Sequence, residues 1–118
     1  MSKICTTIKQ SQKLVELGID VNSADIAWYS SYAKDGYSIR MLNDAYPLEM
    51  IGEEHDEIPC WSLSALLELM PEKTGIAKDY TDFYFCYNNS ESHSTNHYPK
   101  PLDAAFEMVV WLKENNKI

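Results

Sequence analysis

A chain of 118 residues, 45% of them hydrophobic, is the size of one domain and holds enough apolar side chain for a core without disulfide or metal support. Its formal net charge of −8 repels phosphate backbones and anionic lipid, which argues against nucleic-acid and membrane-surface partners. The three cysteines, Cys5, Cys60 and Cys86, form no CxxC pair and are odd in number, the pattern of free thiols in a reducing compartment. The opening Met1-Ser2-Lys3-Ile4-Cys5 lacks the apolar core of a signal peptide. No apolar run nears the about 20 residues that span a bilayer. The expectation is a soluble, cytoplasmic, single domain over residues 1–118.

In chain order, a first helix is predicted from about Thr7 to Leu17. Thr7 caps it, Gln10 closes a capping box, Ile8, Leu14, Val15 and Leu17 form its apolar stripe, and Gly18 stops it. Ala24 to Tyr32 is aromatic and reads as a strand. Asp35-Gly36 supplies a hairpin turn, and Tyr37 to Leu42 returns. Asn43 to Glu57 reads as a long surface loop that ends in an acidic run, with a short extended piece near Met50-Ile51. A second helix follows, with Ser62 as cap and Leu63, Ala65, Leu66, Leu67, Leu69 and Met70 apolar nearly all round, so it is expected to be the most buried. Pro71 ends it. Asp82 to Tyr87 is a strong strand, and His93 to Tyr98 pairs with it across a turn at Asn88-Asn89-Ser90-Glu91-Ser92. The last helix starts at Pro101 or Leu102 and runs to about Asn115. Its apolar face is Ala105, Met108, Val109 and Leu112. Alternating helices and hairpins predict an α+β fold: three helices packed on a small antiparallel sheet of two hairpins, a layered sandwich.

Three blocks carry a resemblance. They are Cys5-Thr6-Thr7-Ile8-Lys9-Gln10-Ser11 with Leu14 to Asp20 and Ser23-Ala24-Asp25; Ile58-Pro59-Cys60-Trp61-Ser62-Leu63-Ser64-Ala65-Leu66-Leu67-Glu68-Leu69-Met70-Pro71; and Pro101 to Leu112. In these the chain resembles small uncharacterised acidic proteins of Bacteroides-type gut bacteria and their phages and mobile elements. The element order is also similar to phage α-β-α sandwich proteins. The resemblance implies an accessory role in a phage or mobile-element setting and assigns no activity to a residue.

Candidates for chemistry are few. His93 and His97 are four apart and would share a face of a strand; with His55 they are the alternative metal or enzyme site, although no third ligand stands at a recognised spacing. Glu53-Glu54-His55-Asp56-Glu57 lacks the alternating ligands and glycine of a calcium loop and reads as a solvated acidic run. Cys60, ahead of the second helix, could have a lowered pKa there but is expected buried beside Trp61, and Cys86 is expected in the core or in inter-layer packing. Four glycines, none suitably clustered, exclude phosphate-binding loops. No catalytic residue and no cofactor is indicated. Trp28, Tyr29, Tyr32 and Tyr37 crowd the first predicted hairpin, and alternation turns part of that set outward. Together with Glu53, Glu54, Asp56 and Glu57 they are the predicted contact surface for a protein partner, which the acidic run would favour as basic. The functional expectation is a non-enzymatic binding module, with self-association through the aromatic face as one option. The alternatives are a small histidine-dependent enzyme or metal-binding protein, and an acidic inhibitor or DNA mimic acting on a nucleic-acid enzyme.

Overall fold

The computed structural model describes residues 4–30, 37–42, 57–88 and 92–118. The architecture is α+β: among the described residues, three α-helices accompany two three-stranded antiparallel sheets, where two hairpins on one sheet were expected. The chain divides into two units, one formed by Cys5–Ser62 and the other containing Leu63–Ile118, and each holds one of the sheets.

In the first unit, helix α1 spans Ile8–Glu16 behind the predicted capping box. The Gln10 amide donates to Thr7 Oγ1 at 3.1 Å and the Thr7 amide to Gln10 Oε1 at 3.0 Å, which satisfies two otherwise orphaned donors. Gly18, at φ 88°, takes the left-handed conformation that closes the helix. A single 3-10 turn, Val21–Ser23, leads into strands β1 (Ile26–Ser30), β2 (Tyr37–Met41) and β3 (Glu57–Cys60), ordered β2-β1-β3. The β1–β2 pair is the predicted hairpin, with Trp28 opposite Ile39; its Asp-Gly turn lies outside the described residues. β3 was not foreseen. It adds antiparallel to β1, with Trp28 opposite Ile58. As an edge strand it tolerates Pro59, which has no amide to give the ladder.

The centre of this unit is polar as well as apolar. Leu14, Ile26, Cys60 and Trp61 are buried beside Thr6 and Ser11. Thr6 joins them. Its amide donates to the Trp61 carbonyl at 2.9 Å, its hydroxyl accepts the Trp61 amide at 3.1 Å, and its hydroxyl meets Ser11 Oγ at 2.7 Å. Every one of these buried groups therefore has a partner, which is what makes their burial affordable.

In the second unit, helix α2 is only Leu63–Leu69. Leu66 is fully buried but Leu67 is 44% exposed, so α2 is not the most buried helix. Seven residues make barely two turns, and two turns leave one side to solvent however apolar the sequence. Strands β4 (Thr74–Asp79), β5 (Asp82–Asn88) and β6 (Ser92–Ser94) form the sheet in that order. β5–β6 is the second predicted hairpin; β4 was not foreseen. Helix α3 (Pro101–Glu114) has Pro at its first position, as predicted, and is the helix that packs on β5. Leu102, Ala105, Met108, Val109 and Leu112 recur at helical spacing, and all are buried. Cys86, expected in the core or in inter-layer packing, is half-buried, because it lies on the β5 face opposite the buried Phe85 and Tyr87.

No helix among the described residues is long and apolar enough to cross a membrane.

Candidate functional site

The second unit's β6 and α3 border a groove of about 260 Å³. Its walls come from two sources. β6 and the residues after it contribute His93, Ser94 and Asn96; α3 contributes Glu107, Val110, Trp111 and Glu114. Those four helical positions fall at i, i+3, i+4 and i+7, so they form one stripe on α3, flanking the stripe that packs into the core.

A shift of register shapes the groove. Cys86 pairs with Ser94, yet Phe83 bridges to Tyr98, so three steps along β5 match four on the opposite chain. One residue is extra, as in a β-bulge. Thr95 occupies the offset and is buried there. Its amide donates to the Phe85 carbonyl and its hydroxyl accepts the Phe85 amide, both at 2.9 Å, so the ladder loses no bond where the strand bends. The bulge reverses every side chain beyond it.

That reversal separates the two histidines. His93 lies opposite Tyr87, on the face toward α3, and stacks on the Trp111 indole with ring centres 4.2 Å apart and an interplanar angle of 1°. Trp111 in turn lies 5.6 Å from the Tyr87 ring. His97 sits past the bulge and stacks on Tyr84 at 4.5 Å, with Nδ1 3.7 Å from Asp79 Oδ2. Tyr84 and Tyr87 are an odd number of residues apart on β5 and so face opposite sides. The expected shared face of His93 and His97 is therefore corrected: an unbulged strand would provide it, and this one does not. His55 lies outside the described residues, and among those described no group of three or more His, Cys, Asp or Glu side chains is placed to hold a metal.

One lining group is a carboxylate in a fixed position. Glu107 accepts the Asn96 amide at 2.6 Å, the Asn96 side-chain amide at 3.0 Å and the Tyr98 hydroxyl at 3.1 Å. Burial, aided by the hydrogen bond to Glu107, raises the Tyr98 phenol above its ordinary pKa. Glu114, one helical repeat further on, is exposed at the rim. The arrangement thus offers aromatic surface, one apolar side chain and two carboxylates, with no lysine or arginine among the described lining residues. That set suits a cationic group with an apolar or planar body.

The first unit has a larger hollow, about 430 Å³, lined by Gln12, Val15, Glu16, Ile58 and Pro59. Among its described lining residues the only polar side chains are Gln12 and Glu16, both exposed on α1.

The residues expected at the partner surface fall apart by environment. Trp28 is half-buried against Cys5, Ile26 and Cys60, and its indole N–H donates to the Thr6 carbonyl at 2.9 Å. Its ring therefore serves the first unit's packing. Tyr29 is half-buried. Tyr37 begins β2, and Tyr32, Glu53, Glu54 and Asp56 lie outside the described residues. Glu57 departs from the expected solvated run. It is the first residue of β3, its side chain is only 7% exposed, and Arg40 Nε and Nη2 each reach one of its carboxylate oxygens at 2.7 Å. Arg40 on β2 and Glu57 on β3 flank β1 from its two sides, so the pair spans the sheet. Ser62, read as a helix cap, donates both its amide and its hydroxyl to the Asp25 carboxylate.

Sequence reasoning passed over Glu107, Val110, Trp111 and Glu114 as a functional stripe. Their spacing is legible, but it reads as ordinary amphipathic helix until the bulged strand supplies the opposite wall. Comparison with protein-family models, with curated proteins and with solved structures gave no match for this chain.

Proposed function

We propose that the protein is a cytoplasmic, non-enzymatic binding module whose receptor is the groove between β6 and α3. The proposed occupant is a basic segment of a partner protein, with an arginine side chain entering the groove. The observation that carries this reading is the fixed Glu107 carboxylate beside the His93–Trp111 stack, with Glu114 at the rim and no lysine or arginine among the described lining residues. A guanidinium is planar and multiply donating, so it matches a carboxylate and an aromatic wall together. The net charge of −8 favours encounter with a basic partner over the whole surface. The groove is preferred to the first hairpin because Trp28 is engaged in packing there. The resemblance of the three sequence blocks supports an accessory role in a phage or mobile-element setting.

The test is a titration of the isotopically labelled protein with a short arginine-rich peptide, followed by NMR. Shifts should concentrate on His93, Asn96, Val110, the Trp111 indole and Glu114, and affinity should fall as salt is raised. Glu114→Lys, at an exposed position, should weaken binding at least tenfold while the spectrum remains folded. Shifts spread over other surfaces, or unchanged affinity in that variant, would place the receptor elsewhere.

A further inference from the structure

We propose that Cys5 and Cys60 are a modification site: a dithiol that closes into a reversible intramolecular disulfide when it meets a low-molecular-weight disulfide such as oxidised glutathione. The two residues are far apart in sequence and in contact in space. With Ile26 they form one buried cluster, against which Trp28 and Ile39 pack. The chain neighbours of the two thiols hold them in apposition. The Thr6 amide donates to the Trp61 carbonyl at 2.9 Å and the Trp61 amide donates to Thr6 Oγ1 at 3.1 Å. Cysteine here is not interchangeable with another small apolar residue, because two thiols placed together have a reaction available to them.

The pair is chemically unequal. The Cys60 thiol donates toward Cys5, which lowers the Cys5 pKa against the opposing effect of burial. The same hydrogen bond, with burial added, raises Cys60. Cys5 is therefore the attacking sulfur. It also has the easier route to solvent. It is 4% exposed, it sits in the segment ahead of α1 rather than in a sheet, and Ile4 beside it is exposed. Opening at Ile4 and Cys5 leaves the Thr6 ties to Trp61 in place, whereas exposing Cys60 means parting β3 from β1.

The steps balance. The Cys5 thiolate attacks one sulfur of oxidised glutathione, the glutathione S–S bond breaks, one glutathione thiolate departs, and Cys5 carries a mixed disulfide. The hydrogen bond that held the Cys60 proton is then gone. Cys60 gives that proton to the departing thiolate and attacks the Cys5 sulfur, expelling the second glutathione. Two protein thiols are oxidised, and one small-molecule disulfide is reduced to two thiols. The bridge would join the first residue of the Cys5–Ser62 unit to one two places from its last, closing nearly all of that unit into a loop. Cross-links that close long loops restrict the unfolded chain most, so oxidation should stabilise this unit.

The experiment treats the native full chain with oxidised glutathione and maps its peptides without reduction, in the wild type and in Cys86→Ser, Cys5→Ser and Cys60→Ser. The expected product retains no glutathione, contains a Cys5–Cys60 peptide, and has a denaturation midpoint shifted upward until dithiothreitol restores it. Cys86→Ser should behave as wild type, and Cys60→Ser should stop with glutathione on Cys5. A bridge that forms only in denaturant, stable glutathione adducts on both thiols, or a bridge that instead uses Cys86 would each overturn the proposal. Should either single variant fail to fold, the peptide map of the wild type and of Cys86→Ser decides alone.

Discussion

The two units are built from the same parts and spend their polar side chains in opposite ways. Each has a three-stranded antiparallel sheet with helices. In the Cys5–Ser62 unit, Thr6, Ser11 and Glu57 are turned inward and answered there by Trp61, Thr6 and Arg40 respectively. In the unit containing Leu63–Ile118, the interior is mainly Phe85, Tyr87 and the apolar stripe of α3, while His93, Asn96, Glu107 and Glu114 border an open groove. A buried polar network fixes geometry, and each member that is removed leaves another unsatisfied. A polar rim on an apolar core remains free for a ligand. This contrast is why the receptor is assigned to the second unit and the covalent device to the first.

The largest expected effects test whether that contrast is real. Trp61→Ala and Phe85→Ala each empty a fully buried site, and each should cost about 3–5 kcal/mol in chemical denaturation. Alone they do not distinguish the units. The conservative swaps do. Trp61→Phe keeps an aromatic ring but removes the indole N–H that donates to Ser23 Oγ at 2.9 Å, and should still cost about 2 kcal/mol. Phe85→Leu disturbs shape alone and should cost about 1 kcal/mol. Equal costs for the two swaps would mean that the polar ties of the first unit contribute little, and the comparison would fail.

A second probe is the Arg40–Glu57 pair. Arg40 is a quarter exposed and Glu57 nearly buried, so the pair lies between a surface ion pair and a buried one. Arg40→Ala takes a two-pronged guanidinium from a nearly buried carboxylate and should cost about 2–3 kcal/mol. Replacing both partners, as Arg40→Met with Glu57→Leu, should recover most of that loss, because no unpaired charge is left. A double variant as unstable as the single one would show that the side chains act through packing rather than through charge.

Legibility follows the same division. The capping box at Thr7 and Gln10, the stop at Gly18, the start of α3 at Pro101 and its buried stripe are local signals, and each is found where the sequence predicts it. β3 was hidden because Pro59 and an acidic residue argue against a strand when its neighbour β1 is not in view. Leu67 misled because an apolar run does not reveal how short a helix will be. The groove depends on a register shift at Thr95, and no residue in Ser-His-Ser-Thr-Asn-His-Tyr announces one. Glycine, the commonest sign of a bulge, is missing, and a threonine hydroxyl closes the ladder in its place. Non-local pairing decided β3 and the groove, and local propensity carries no information about it.

The smallest effect concerns the turn between β4 and β5, where Asp79 pairs with Asp82 and two residues make the loop. Tight hairpin loops want a positive φ, and Asn or Gly normally provides it. Here Tyr80 does, at φ 56°, and that is why β4 carried no hairpin signal. The left-handed conformation costs a tyrosine about 1 kcal/mol relative to a residue at ease in it. Tyr80 is 94% exposed, so replacing it forfeits almost no packing. Tyr80→Asn should therefore stabilise the protein by about 0.5 kcal/mol, and Tyr80→Val, whose branched side chain fits this region worst, should destabilise it by about 1 kcal/mol. The pair of variants is a control on the comparison of units, since the change is confined to backbone preference and touches no polar network. If Tyr80→Asn instead destabilised by more than about 1 kcal/mol, the exposed ring would be making a contact of its own, and the second unit's surface would contribute to its stability as well as to binding.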